Sequence, residues 1–325
     1  MKKFNIYIGN SLNLLSFRNF DIGVKLLLIC IICTFNAATN PLLAQQDLHL
    51  TQQIFSRMNV NPAATGNTAD VDIFLLGRLQ WLGVDDAPKS TLLNASNYFE
   101  KIKSGVGLSI SFDKLGIGHS STDIKAAYSF QLDLNDKWVL AMGLSGGVFI
   151  GSYNPLANTL VDETERDEMD NYKERETVVT PDFNIGIEAN SLNWTLGFSV
   201  THLLNSESTS YASDRHIYAY ASRAIMFNPQ WDMLINLAYM NRNKVHLPEL
   251  GIMGFYQRFI WGGFSWRPDI INKCNPSYLS VMAGAELKIF RLGYVYEFGV
   301  GSNNTLPPNT HEIILSFRIP KNIKN

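Results

Sequence analysis

The sequence predicts an all-β protein, specifically an antiparallel transmembrane β-barrel of about 14 strands. Three observations support this fold class. Apolar and polar residues alternate along most of the chain, the alternating segments are long, and the connections between them are alternately short and long. These features together are typical of a barrel that crosses an outer membrane.

The N-terminal part of the chain has the composition of a secretory signal. A basic leader ends at Lys25, an apolar stretch runs from Leu26 to Phe35, and Ala44 is a suitable cleavage point. The apolar stretch is too short for a membrane-spanning helix, which needs about 20 residues. We therefore expect residues 1–44 to be a signal peptide and the protein to be exported.

Composition excludes several classes of function. The net charge is −2, only 17% of residues are charged, and the basic residues form no stripe, which argues against a nucleic-acid partner. Cys30 and Cys33 would leave with the signal peptide, so only Cys274 would remain and an internal disulfide is excluded. The 12% aromatic content suits an outer-membrane barrel better than a soluble enzyme.

Alternation with a period of two is clearest in residues 123–132 and 192–201. Ile124, Tyr128 and Phe130 share one face of the first segment, and Trp194 and Phe198 share one face of the second. A soluble β-sandwich would show the same alternation. Length separates the two folds, because these segments have roughly 10–14 residues, whereas soluble strands have about 5 or 6 and membrane-spanning strands about 9–11.

The predicted strands and their connections define the topology. The strands lie near residues 70–81, 89–101, 104–113, 118–132, 137–151, 180–190, 192–203, 214–227, 232–241, 247–257, 259–267, 278–288, 290–300 and 310–319. Tight turns such as Asn135-Asp136, Asn190-Ser191 and Asn228-Pro229 alternate with the mostly longer connections 82–88, 152–179, 204–213, 242–246, 268–277 and 301–309.

Connection length also predicts the orientation. Outer-membrane barrels have short periplasmic turns and longer external loops, so both termini are expected in the periplasm. The predicted organisation is a periplasmic N-terminal segment at 45–69, an outer-membrane barrel at 70–319 and a periplasmic tail at 320–325.

Two sets of side chains are predicted from this register. Aromatic residues near strand ends are expected to form interfacial girdles: Trp81, Tyr98, Trp138, Tyr153, Trp231, Trp266 and Tyr278. Charged residues are expected to face the lumen: Arg78, Asp113, Asp123, Lys125, Glu188, Arg267, Glu286, Lys288, Glu297, Glu312 and Arg318. The charged set could brace the barrel, line a pore, or hold segment 45–69 in the periplasmic mouth.

Short motifs in a fixed order give the sequence a family resemblance. Asn61-Pro62-Ala63-Ala64-Thr65-Gly66 comes first, and the later matches are Arg78, Gln80, Trp81, Pro88, Lys89, Asp113, His202, Trp261, His311 and Glu312. With these motifs the chain resembles the PorP/SprF family of type IX secretion system outer-membrane proteins along its whole mature length. Glu297, where the family often has Asp, and the acidic insertion at 162–176 depart from the family pattern.

The resemblance implies a non-enzymatic component that supports export and surface retention of secreted proteins, including gliding adhesins. The implied partners are a secreted surface protein with a type IX sorting domain, other secretion-system components and outer-membrane lipid. Composition and periodicity by themselves predict only the barrel.

Several short motifs contain residue types that occur in catalytic or binding sites. Ser199 and His202 lie three apart in a predicted strand and should face opposite sides, which argues against a hydrolase pair. Gly105 and Gly107 lie within a predicted strand, so close packing inside the barrel is preferred over a phosphate loop. The histidines have no zinc-ligand spacing, and no catalytic residue, metal or cofactor is predicted.

An acidic run is the most distinctive local feature of the chain. It comprises Asp162, Glu163, Glu165, Asp167, Glu168 and Asp170. The run could bind calcium or a basic patch on a partner, although the spacing of a calcium loop is absent; a solvated external loop is the simpler interpretation. Two other function classes stay open: an outer-membrane pore or hydrophobic-compound transporter, and a barrel esterase or phospholipase.

Overall fold

The computed structural model describes residues 51, 53–116, 118–154, 176–204, 206–207, 212–213, 215–242, 245–268, 277–300 and 309–321. Its strands are β1 (Val71–Leu79), β2 (Lys89–Phe99), β3 (Ser104–Leu115), β4 (His119–Asp133), β5 (Val139–Tyr153), β6 (Glu176–Asn190), β7 (Trp194–Thr201), β8 (Ser206–Glu207), β9 (Ala212–Ser213), β10 (His216–Asn228), β11 (Trp231–Arg242), β12 (Val245–Tyr256), β13 (Ile260–Arg267), β14 (Ser277–Leu287), β15 (Phe290–Val300) and β16 (Thr310–Ile319). Within these residues, no helix has the length and apolar character needed to cross a membrane.

All of these strands except β8 and β9 form one closed antiparallel barrel of 14 strands. The barrel closes where β1 pairs with β16, from Val71 opposite Ile319 to Leu79 opposite His311. β8 and β9 pair only with each other. The predicted fold class and strand number are therefore confirmed.

The two faces of the barrel wall are opposite in polarity to those of a soluble protein. Glu188 and Glu312, which face the lumen, have 0% relative exposure, whereas Leu144 and Phe264 on the outer face are 58% and 61% exposed. Large apolar side chains recur on the outer face of every strand around the barrel. This apolar belt suits contact with lipid acyl chains.

One sector of the lumen is apolar, which the alternation did not predict. Phe74 and Leu76 on β1 are almost fully buried, and they join an inward-facing cluster with Leu92, Met253, Trp261, Met282, Val295 and Ile314. Ile54 and Phe55, which precede the barrel in sequence, pack against this cluster. Apolar residues can therefore face inward here, because another part of the chain covers them.

The short turns owe their geometry to asparagine side chains and to residues with positive φ. Asn135 Oδ1 accepts hydrogen bonds from the backbone N–H groups of Lys137 and Trp138, and Asn228 Oδ1 accepts them from the residues two and three positions later. Lys288 has a φ of 54° in the turn between β14 and β15. It is exposed there, so the prediction that it faces the lumen is wrong.

Three predicted connections are shorter than expected or contain strand. β5 and β6 continue into the predicted loop 152–179, because Ser152 pairs with Thr177 and Tyr153 with Glu176. β11 and β12 take up both ends of 242–246, where Arg242 pairs with Val245. The predicted loop 204–213 contains the β8–β9 hairpin.

Candidate functional site

The described residues 51 and 53–70, here called the lumen segment, run through the interior of the barrel. Two single 3₁₀ turns, Gln53–Phe55 and Pro62–Ala64, are their only helical elements. Asn61 caps the second turn, because its Oδ1 accepts a hydrogen bond from Ala63 N at 3.0 Å, and Pro62 supplies the fixed φ that suits a first helical position. The predicted motif Asn61-Pro62 thus shapes the segment locally.

Glycines on the barrel wall allow the lumen segment to touch the backbone of the strands. A Cβ atom added at Gly143 would lie 2.1 Å from Ala63 N, and one added at Gly105 would lie 2.1 Å from the carbonyl oxygen of Thr65. Gly107 makes a similar approach to the segment at Met58. A side chain at Gly105 or Gly143 would displace the backbone of the segment, and one at Gly107 would displace the Met58 side chain. Close packing therefore explains Gly105 and Gly107, as the sequence predicts.

Arg57 anchors the middle of the lumen segment to β6. Its Nε lies 2.9 Å from Glu188 Oε2 and its Nη2 lies 3.1 Å from Oε1, which is the geometry of a bidentate pair. Tyr220 and Asn190 donate further hydrogen bonds to the same carboxylate.

Asn61 connects the capped turn to the same wall. Its Nδ2 donates to the carbonyl oxygen of Ile187 at 3.0 Å and to the hydroxyl of Tyr220 at 2.9 Å. A Cβ atom at Gly186 would lie only 2.1 Å from Asn61 Oδ1. Asn61 is fully buried, and every one of these contacts depends on its amide group.

A buried ionic cluster lies near the long-loop ends of β1, β12, β13, β15 and β16. Arg78 contacts both Glu297, at 2.6 Å, and Glu312. Arg267, the last residue of β13, contacts Glu297 at 2.9 Å and Glu249 at 3.3 Å. Each carboxylate has a cationic partner, as burial of charge requires.

Thr51 joins the lumen segment to this cluster. Its backbone N–H donates to Glu312 Oε1 at 3.0 Å, and its hydroxyl donates to Glu297 Oε2 at 3.2 Å. The segment is therefore fixed near the long-loop end at Thr51, while it continues into β1 at the short-turn end. The charges that the sequence places in the lumen bind this segment as well as each other.

A second ionic cluster lies on β4, β6 and the end of β7. Lys125 Nζ is 2.5 Å from Asp123 and 2.6 Å from Asp182, and His202 Nδ1 is 2.9 Å from Asp182. Asp123, Asp182 and His202 are spaced closely enough to hold a metal ion. The Lys125 ammonium lies between the two carboxylates as their cation, so the arrangement fits charge compensation.

His202 is where the expectation from strand alternation is wrong. Ser199 and His202 are both buried, because His202 follows β7 with a φ of 53° and this turns its side chain back to the lumen. The Ser199 hydroxyl donates to the carbonyl oxygen of Val60 at 2.6 Å. Pairing of β7 with β10 also brings His216 next to His202, with ring centroids 5.3 Å apart.

The remaining predicted motif residues are dispersed. Asp113 faces the lumen and accepts a hydrogen bond from Ser90, and Trp261 faces the lumen with its ring 4.7 Å from that of Phe55. Gln80 N donates to the carbonyl oxygen of Pro88 in the loop after β1, and Trp81 in that loop has a φ of 49°. Lys89 is exposed on the outer face.

His311 also lies on the outer face, where its Nδ1 is 2.6 Å from the Tyr294 hydroxyl. Among the predicted girdle residues, Trp231 and Trp266 are exposed on the outer face, at 49% and 47%. Tyr278 instead faces the lumen beside Arg267, whose guanidinium carbon is 5.9 Å from its ring. The acidic candidates Asp162, Glu163, Glu165, Asp167, Glu168 and Asp170 lie outside the described residues.

Comparison with known proteins relates this barrel to a family. The sequence pattern of the family described as "Type IX secretion system membrane protein PorP/SprF" matches residues 42–317. The chain belongs to the PorP/SprF family. It is thus a membrane component associated with type IX secretion, and its closed barrel supports an outer-membrane location. No curated protein sequence matches the chain closely enough to be reported as a relative.

Solved structures resemble the barrel of this PorP/SprF protein in fold alone. The CymD monoaromatic hydrocarbon channel superposes with a TM-score of 0.52 at 11% identity, over 80% of this chain and 91% of the channel. A deletion mutant of the TodX monoaromatic hydrocarbon channel superposes with a TM-score of 0.52 at 12% identity, over 83% and 94%. At these identities the likeness carries no information on substrate.

Proposed function

We propose that this PorP/SprF protein is a sealed, non-enzymatic barrel that supports the export and surface retention of a specific secreted adhesin-like protein with a type IX sorting domain. The family match over residues 42–317 supports the role in secretion. The lumen segment supports the sealed state, because it spans the interior and is fixed at both Thr51 and Arg57. Gliding motility is the process in which such an adhesin would serve.

The alternative is an outer-membrane pore or hydrophobic-compound transporter. A conduit needs a continuous path, and the lumen segment packs directly on the wall at Gly105 and Gly143. Side chains from Ile54 to Val60 also fill the space beside the apolar sector and beside Tyr218 and Met240. This packing favours the sealed barrel over the conduit.

The partner is proposed to bind on the long-loop side, where the acidic run 162–170 supplies a charged surface. Shortening 162–170 should leave a folded, heat-modifiable barrel in the membrane but release a large adhesin-like protein into the medium. A matched control shortens the loop at 301–308, which contains no acidic residue. Equal release from both shortened variants would contradict the assignment to the acidic run.

The proposed orientation has short turns and the C-terminal end in the periplasm. The sequence prediction put the N-terminus there as well, but Thr51 contacts Arg267, a residue at the long-loop end of β13. Antibody labelling of intact cells that carry an epitope after Gln45 or after Lys321 tests the location of each end separately. The orientation requires the C-terminal epitope to be shielded, and labelling of it without permeabilisation would contradict it.

A further inference from the structure

A narrow apolar groove follows β10 on the outer face of the barrel. Ala219 and Ala221 point outward, because their neighbours Tyr218 and Ser222 are buried in the lumen. Larger outward side chains flank these alanines on both sides: Phe198 and Leu196 on β7, and Tyr239 and Leu237 on β11. Two methyl groups therefore form the floor of a groove whose walls are aromatic and aliphatic.

An arginine lies at the end of this groove that is nearer the short turns. Arg223 is the next outward residue of β10 and is exposed. It pairs across the strands with Trp194 and Ile235, and its guanidinium carbon lies 5.1 Å from the centre of the Trp194 ring. Among the described residues it has no carboxylate partner.

A cation on a lipid-facing surface is unfavourable unless its charge is compensated. An arginine side chain in this setting extends toward the membrane interface, where phosphate groups provide the opposite charge. The planar guanidinium also binds phosphate oxygens in a two-pronged arrangement while one of its faces stacks on an aromatic ring. The Arg223 guanidinium already lies over the Trp194 ring, so the pair is preorganised to bind a phosphate.

We propose that the β10 groove binds a glycerophospholipid, with its phosphate on Arg223 and one acyl chain over Ala219 and Ala221. The chain would cover apolar surface along Leu196 and Leu237, which contributes the hydrophobic part of the affinity. Assignment to a glycerophospholipid rests on the proposed orientation, because Arg223 then faces the periplasmic leaflet. Phosphorylated glycolipid occupies the opposite leaflet.

Binding is measured on the full-length barrel, purified in detergent, by native mass spectrometry during titration with dioleoylphosphatidylethanolamine. Arg223→Gln should weaken binding by about fivefold to tenfold, and Arg223→Lys by less. Ala221→Leu fills the groove and should weaken binding with the charge intact. Two controls should bind as the wild type does: Arg258→Gln, an exposed turn arginine paired with Asp232, and Ala126→Leu, an outward alanine on β4.

Three results would overturn the proposal. One is that the Arg223→Gln barrel keeps its heat-modifiable fold and still binds dioleoylphosphatidylethanolamine as tightly as the wild type does. Another is equal binding of diacylglycerol, which has acyl chains but no phosphate. The third is tighter binding of lipid A than of the glycerophospholipid at the β10 groove. None of these measurements depends on secretion, so failure here and failure of the proposed function are distinguishable.

Discussion

Arg57 and Glu188 form a buried bidentate ion pair that joins the lumen segment to the barrel wall, with contacts of 2.9 and 3.1 Å. They lie 131 residues apart in sequence. The Glu188 side chain has 0% exposure, so its charge depends on Arg57 for compensation. Release of the segment from the wall would leave that carboxylate buried without its cation.

Glu188→Gln should therefore destabilise the segment strongly. Removing one partner of a buried ion pair costs about 3–5 kcal/mol, since the other charge stays buried. Limited proteolysis of the folded barrel should show faster cleavage at Arg57. The matched control is Lys103→Gln, which breaks the exposed pair with Asp133 and should leave the rate of cleavage at Arg57 as in the wild type. Equal protection of Glu188→Gln and wild type would contradict the anchoring role.

Gly143→Ala should displace the lumen segment without altering the outer face. The added Cβ would lie 2.1 Å from Ala63 N, which the backbone cannot accommodate without moving. We expect higher single-channel conductance in planar bilayers than for the wild type. Gly254→Ala is the control, because its Cβ would meet no atom within 4 Å. Wild-type conductance in Gly143→Ala, with the barrel folded, would show that this contact does not seal the lumen.

The free-energy cost of placing a charge on the outer face should depend on the depth of that position in the membrane. Leu144 is 58% exposed in the middle of β5, and Ile319 is 46% exposed at the last residue of β16. Leu144→Arg should cost about 2–4 kcal/mol, whereas Ile319→Arg should cost about 0–1 kcal/mol. Unfolding in urea from lipid vesicles measures both. Similar costs at the two positions would argue against a membrane-spanning belt.

Alternation and strand length together were sufficient to predict the barrel, because side-chain direction in a strand follows position along the chain and only the long strands can cross a membrane. Residues such as Ile124 and Phe130 therefore indicated their outward face correctly. The position of the lumen segment could not be predicted from one sequence, because Ala63 and Gly143 come together only when the barrel has closed. Phe74 and Leu76 are inward apolar residues for the same reason: Ile54 and Phe55 cover their cluster.

His202 shows the limit of the same rule within one strand. Its positive φ ends the alternation one residue after Thr201, and pairing of β7 with β10 then brings it to His216. Neither the φ value nor the pairing partner can be read from the local sequence. Family resemblance indicated Asn61, and both the resemblance and the strand register indicated Glu312, whereas the contacts of the two residues required the structure.

Quantitative proteomics of the intact cell surface in a gene-deletion strain tests the proposed function most directly. The strain is complemented with the wild type or with Glu188→Gln, and uptake of a small solute is measured in parallel. The proposed function predicts loss of one large secreted protein from the surface in the deletion strain, its return with the wild-type gene, and unchanged solute uptake. Unchanged surface proteins together with impaired solute uptake would contradict it and favour a transporter.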